Sequence, residues 1–165
     1  MSKAEDSIAR QVLTDPVHIL AFGFGTGLAP VAPGTVGSLL GVALAWLTLE
    51  LPLMAQVSIA VALSVAGIWI CGSSARKLGV HDHGGIVWDE ILGYLVTMAA
   101  APAGWHWMLV GFLLFRLFDI LKPWPIRWAD RRVAVGVGMM LDGLRAGAYA
   151  WLCLQGLALL PWFGG

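Results

Sequence analysis

The chain has 165 residues, 59% hydrophobic and 12% charged, with nine tryptophans and a mean hydropathy of +0.80. Soluble domains carry about 25% charged residues. Half that density cannot cover a water-facing surface, which argues against a soluble globular fold and against disorder, and for a polytopic membrane protein. Ten Lys and Arg against ten Asp and Glu leave no basic excess for a nucleic-acid partner.

In chain order, residues 1–16 are polar and mixed in charge. They lack the apolar core and small-residue cleavage site of a signal peptide, so this arm is expected to be retained and the first apolar helix to act as the insertion signal. Residues 23–38, GFGTGLAPVAPGTVGS, are rich in Gly and Pro. No Gly-Lys-Ser/Thr follows and no strand–helix alternation surrounds them, which excludes a P-loop and a dinucleotide fold. A re-entrant turn is one reading; a nest of backbone N–H groups for an anionic headgroup is the other.

Five apolar segments follow, at 36–51, 54–71, 86–101, 105–121 and 146–163. Most fall slightly short of the roughly 20 residues that span a bilayer, a shortfall met by local thinning or extension into the interface. Alternation with period two is absent, so all five are predicted helical, with Pro52 and Pro102 breaking the runs into hairpins. The expected fold is an all-α membrane bundle forming one domain over 1–165, its polar site at the cytoplasmic face. Cys71 and Cys153 lie apart in apolar stretches, which supports neither zinc nor a disulfide.

The cations set the orientation. Lys3, Arg10, Arg76, Lys77, Arg116, Lys122, Arg127, Arg131, Arg132 and Arg145 all fall on one side of a five-span chain, which the positive-inside rule assigns to the cytoplasm. Glu50 alone sits at the far face. Trp105, Trp107, Trp124, Trp128 and Trp162 fall near span ends, where indoles favour the headgroup layer.

Acids at the edge of apolar helices are costly unless paired, solvated or bound to metal. Asp89 and Glu90 open the third segment, Asp119 ends the fourth and Asp142 precedes the fifth. Three helix ends thus bring carboxylates to one face, a donor set suited to Mg²⁺; interhelical salt bridges are the competing reading. Asp89 and Glu90 point about 100° apart on a helix, so they face one cavity only if it is wide or if they serve different ions. Arg116, Asp119 and Lys122 are spaced by three and can share a helix face. The loop after them, KPWPIRWADRR over 122–132, is stiff and cationic, suited either to a phosphorylated lipid or to enforcing topology. His81 and His83 flank Asp82 and read as a loop, a proton-transfer pair or, less simply, metal ligands. His18 and His106 stand apart.

Three blocks, at 23–38, 82–93 (DHGGIVWDEILG) and 115–147 (FRLFDILKPWPIRWADRRVAVGVGMMLDGLRAG), resemble the phosphatidylglycerophosphatase A family of membrane phosphatases. The resemblance implies Mg²⁺-dependent removal of the phosphate of phosphatidylglycerophosphate at the cytoplasmic leaflet of the inner membrane. By matched position it points to Asp89, Glu90, Arg116, Asp119, Lys122, Asp130 and Asp142. The expected catalytic and metal set is Asp89, Glu90, Asp119 and Asp142, and the expected phosphate set is Thr35, Arg116, Lys122, Arg127, Asp130 and Arg131. The chain departs from the family pattern in two places: Gly143 stands where a second Asp is expected after Asp142, and Ala134-Val135 where His-Gly is common. The first departure leaves a metal one carboxylate short, or its place to water.

Two rival functions are weighed. Asp142-Gly143-Leu144-Arg145-Ala146 partly mimics the opening of the CDP-alcohol phosphotransferase motif, but Gly147 replaces its Arg and the later aspartates are absent. An ion path would need charge within the spans, where this chain is nearly all apolar.

Overall fold

The structure, a computed structural model, describes residues 3–80, 83–121 and 134–160. These form α1 (Lys3–Thr14), α2 (Pro16–Ala21), a 3₁₀ turn (Thr26–Leu28), α3 (Pro33–Thr48), α4 (Leu53–Leu78), α5 (Trp88–Thr97), α6 (Trp105–Leu121) and α7 (Val135–Ala158). No strand occurs among the described residues. The all-α expectation holds, and α3 to α7 answer to the five apolar segments. Among the described residues, by length and composition only α4, with a window of mean hydropathy 2.0, is long and apolar enough to cross a membrane; α3 is apolar but shorter.

The helix boundaries follow from local chemistry. Asp15 caps α2 by accepting the Val17 N–H at 2.9 Å, with Pro16 in the first turn, where its missing N–H costs nothing. Pro33 opens α3 in the same way. Gly79, at φ 68°, ends α4 in the left-handed conformation and donates its N–H to the last carbonyls, a form that glycine adopts without a Cβ penalty. Pro52 stands immediately before α4.

Two boundaries differ from expectation. The last helix begins at Val135 rather than at 146, so Asp142 lies inside it and is 7% exposed. Glycines at 136, 138 and 143 lower its hydropathy and helix propensity, but Gly136 and Gly143 let α7 press against the α4 and α5 backbones. The third segment, read as 86–101, is helical for only ten residues, about 15 Å of rise. Its carboxyl end is satisfied by neighbours instead of by another turn. Trp151 and Gln155 of α7 donate to the Ala99 carbonyl at 2.8 and 3.1 Å, and the Ala100 N–H donates to Gln56 of α4 at 3.1 Å.

Helix α7 packs against α4, α5 and α6, and α3 against α5. The α5–α7 crossing is a glycine seam. A Cβ on Gly147 would strike the Gly93 carbonyl, and one on Gly93 would strike the Gly143 carbonyl, so backbone meets backbone as in small-residue membrane packing. One core cluster gathers Phe22, Cys71, Leu92 and Met140; the other gathers Tyr94, Met98, Trp107, Phe115 and Leu154. Trp107, expected near the headgroup layer, is 3% exposed in the second core, whereas Trp105 is 71% exposed. Trp124, Trp128 and Trp162 lie outside the described residues.

The amino-terminal helices dock on the end of α4. Lys77 pairs with Asp15 at 2.5 Å, and the buried His18 Nδ1 lies 2.8 Å from Ser74 Oγ. Burial holds the His18 pKa below its ordinary 6.5, with the Asp15 charge opposing that shift and Lys77 reinforcing it. The unfolded chain therefore binds a proton here more readily than the folded one. Stability from this site is complete above about pH 6.5 and is lost as pH falls below it. Melting temperature is expected to drop between about pH 7 and about pH 5. His18→Gln should flatten that part of the profile, which a thermal-melt series in wild type and variant would measure.

Candidate active site

The site begins at the first turn of α5. Asp89 and Glu90 are half-buried, and their carboxyl groups lie close enough to act on each other. Adjacent residues on this helix therefore do share one space. Two carboxyls this close share a proton unless a cation near them offsets the repulsion of two charges. Glu90 Oε2 is buried and has no hydrogen-bond partner among the described residues.

Helix α6 supplies the opposing charge. Arg116 Nη1 pairs with Asp119 Oδ2 at 2.6 Å across one turn, the two side chains 14% and 13% exposed. The spacing of three thus produces the shared face expected of it. Arg116 Nη1 also stands 3.5 Å from Ser38 Oγ on α3, while Arg116 Nε is buried with no partner among the described residues. Asp119 carries its charge towards both Asp89 and Glu90. The negative pair and the Arg–Asp pair thus form one electrostatic group.

Helix α3 closes the site with bare backbone. A Cβ on Gly34 would collide with Glu90 Oε1 and come within 3.3 Å of Arg116 Nη1, so glycine is what lets α3 approach these two side chains. Ser38, one turn on and wholly buried, donates to the Gly34 carbonyl at 2.8 Å. Thr35, expected to touch phosphate, is half-buried in the same turn with its N–H donated to Ala32. It is the flanking Gly34 and Ser38 that face Glu90 and Arg116. Sequence reasoning passed over both, although their separation of four residues puts them on one helix face.

Helix α7 carries Asp142, buried, one residue before its contact with α5. A Cβ on its neighbour Gly143 would strike the Asp89 carbonyl and sit 3.1 Å from Asp89 Cβ. Position 143 is therefore a contact between helix backbones, and the second Asp that the resemblance leads one to expect there would have no space at this crossing. From α4, Cys71 is fully buried within reach of the Asp89 and Glu90 charges.

The structure thus gathers Asp89, Glu90, Arg116 and Asp119, while Asp142 is buried on α7 beside the Gly143 contact with Asp89. Lys122, Arg127, Asp130 and Arg131 lie outside the described residues, as do His81, Asp82 and Arg132. His83 serves its own loop, its Nδ1 accepting the Gly85 N–H at 3.0 Å.

Among the described residues no group of three or more His, Cys, Asp or Glu is arranged to hold a metal. Mg²⁺ does not demand one: it is bound through one or two carboxylates, retained waters and substrate phosphate oxygens. Paired carboxyls with an unpartnered buried oxygen at Glu90 fit that donor chemistry.

A polar centre walled by apolar helices, with two acids, a guanidinium and a close glycine backbone, suits an anionic ester. Comparison with known proteins narrows this further. The chain is 45% identical over 141 residues to phosphatidylglycerophosphatase A of Escherichia coli K12, covering 84% of this chain and 81% of that protein. It is 46% identical over 140 residues to the Haemophilus influenzae Rd protein of the same name, covering 84% and 86%. No solved structure matches it. The Phosphatidylglycerophosphatase A family model matches residues 19–158, a stretch containing every one of the acids, the arginine and the glycine just described, and the chain belongs to that family of phosphatases.

Proposed function

We propose that the protein hydrolyses the terminal phosphate monoester of phosphatidylglycerophosphate to phosphatidylglycerol and inorganic phosphate, with Mg²⁺ as cofactor. The observation that carries this reading is the convergence of Asp89, Glu90, Arg116 and Asp119 around the Gly34 backbone, in a chain of this family. Asp89 and Glu90, with Asp119 and Asp142 beside them, would hold the ion. When bound, it would neutralise phosphate oxygens and acidify a water molecule.

The chain's own residues perform the rest. Arg116 offers its guanidinium to the phosphoryl oxygens, with Asp119 and Ser38 fixing its orientation. Lys122, Arg127 and Arg131 belong to the same phosphate set, with Thr35 and Asp130. One carboxylate of the cluster takes the proton of the attacking water as its oxygen bonds to phosphorus. The ester P–O bond breaks, and the departing oxygen gains a proton to become the lipid's free hydroxyl. Positioning and charge stabilisation supply most of the rate.

The reading places the protein in the inner membrane as a multi-pass bundle with its site towards the cytoplasm. The outward faces support it. Val57, Val61 and Val65 on α4, and Leu109, Leu113 and Leu117 on α6, recur every four residues and are each more than 40% exposed. Apolar stripes turned outward are the reverse of a water-facing helix.

The test is phosphate release by the purified protein from a panel of phospholipids, with Mg²⁺ and with chelator. Release confined to phosphatidylglycerophosphate and abolished by chelator is expected. Asp119→Asn should cost about 10²-fold in kcat, because Arg116 loses its charged partner. No release from this lipid, together with an unaffected Asp119→Asn variant, would refute the reading.

A further inference from the structure

Helices α3 and α6 part to form an open groove of about 780 Å³. Its walls are Leu39, Val42, Ala43 and Trp46 on one side and Met108 and Phe112 on the other. None carries a charge. Ligand sites of this size occupy roughly 300–1,000 Å³ and pair an apolar lining with a few polar groups.

The polar groups stand at one end. Leu39 follows Ser38, and Phe112 lies one turn before Arg116, the pair that brings α3 and α6 together at 3.5 Å. From Leu39 to Leu47 the groove runs along α3 for about 12 Å, away from the acids. Phe112 is held from behind by Tyr94, their rings edge to face at 6.3 Å, and the Tyr94 hydroxyl is fixed to the Met108 carbonyl at 2.8 Å. The groove floor is thus tied to the core while its mouth stays open: Trp46 is 63% and Leu109 51% exposed.

We infer that this groove seats an acyl chain of the substrate lipid while its phosphate lies at Arg116 and Glu90. The inference rests on the proposed lipid phosphatase reading. Its basis is continuity: the apolar groove starts at Leu39 and Phe112, the residue after Ser38 on α3 and one turn before Arg116 on α6, in the order that a phosphorylated headgroup and its tail require. An ordinary bilayer lipid, lacking a phosphomonoester, would have nothing to anchor it at that end.

Ala43 is exposed within the groove, so Ala43→Trp fills the channel without entering the core. With long-chain phosphatidylglycerophosphate in mixed micelles, the variant should raise KM about tenfold, equivalent to about 1.4 kcal/mol, and leave kcat within about twofold. An unchanged KM, or a kcat that falls with it, overturns the inference. A second measurement needs no turnover. Phosphatidylglycerophosphate with brominated chains should quench Trp46 fluorescence, read as the difference between wild type and Trp46→Phe, more than brominated phosphatidylcholine at the same fraction. Equal quenching overturns the inference, since any neighbouring lipid would then serve. Selective quenching with no phosphate release by wild type would sink the catalytic reading and leave the groove assigned.

Discussion

Asp89→Asn and Glu90→Gln are each expected to lower kcat by about 10³-fold, the range in which a positioned acid or base contributes, and to leave the melting temperature unchanged or higher. Both effects come from one geometry. The two carboxyls lie against each other and face the charge of Asp119, so the folded chain concentrates acidic groups in a half-buried space. An amide of the same shape can donate its NH₂ to the remaining carboxylate. It removes one of the repelling charges and, with it, a proton acceptor and an oxygen donor suited to a hard cation. Activity and stability should therefore move apart, as at sites kept strained for function. Phosphate-release kinetics paired with thermal melts measure both. A variant that unfolds early would show that the pair is structural.

The second large effect is on stability. Gly147→Ala should destabilise the protein by about 2–3 kcal/mol, as over-packing does, lowering the melting temperature by about 4–12 °C. The new methyl would meet the Gly93 carbonyl across the α5–α7 crossing, and backbone there cannot turn aside as a flexible side chain could. Gly156→Ala, on the same helix with nothing within 4 Å, is the matched control. It should stabilise by about 0.5–1 kcal/mol, because alanine is the better helix former. The same substitution thus has opposite signs at two positions, and thermal unfolding of the two variants tests the seam directly.

Much of this arrangement is legible in the sequence because charge is scarce in an apolar chain. Asp89, Glu90, Arg116 and Asp119 stand out against their surroundings, and the three-residue spacing of Arg116 and Asp119 already implies a pair on one face. Pro52 and Pro102 marked the breaks before α4 and before α6. Hydropathy failed where tertiary packing replaces apolar side chains. The start of α7 is rich in glycine and carries Asp142, so it reads as a connection, yet those glycines are what bring it against α4 and α5. The short length of α5 was hidden for a related reason. Residues 98–101 are apolar, but Gln56, Trp151 and Gln155 bind the carbonyls and the N–H that end the helix, and such partners lie far away in sequence. Gly34 and Ser38 escaped because what they contribute is closeness, which composition does not record. Gly143 looked like an absent ligand when read along the chain; across the bundle it is the place where the Asp89 backbone rests.

The glycine seam also governs how the molecule comes apart. Helix α5 is fixed along its flank by α7 and at its carboxyl end by side chains from α4 and α7, whereas α1 and α2 reach the bundle chiefly through α4. Local opening has least to break at the amino-terminal pair and most at the centre. Fraying would start there and arrive at α5 last, so the acids keep their mutual placement until the bundle as a whole gives way.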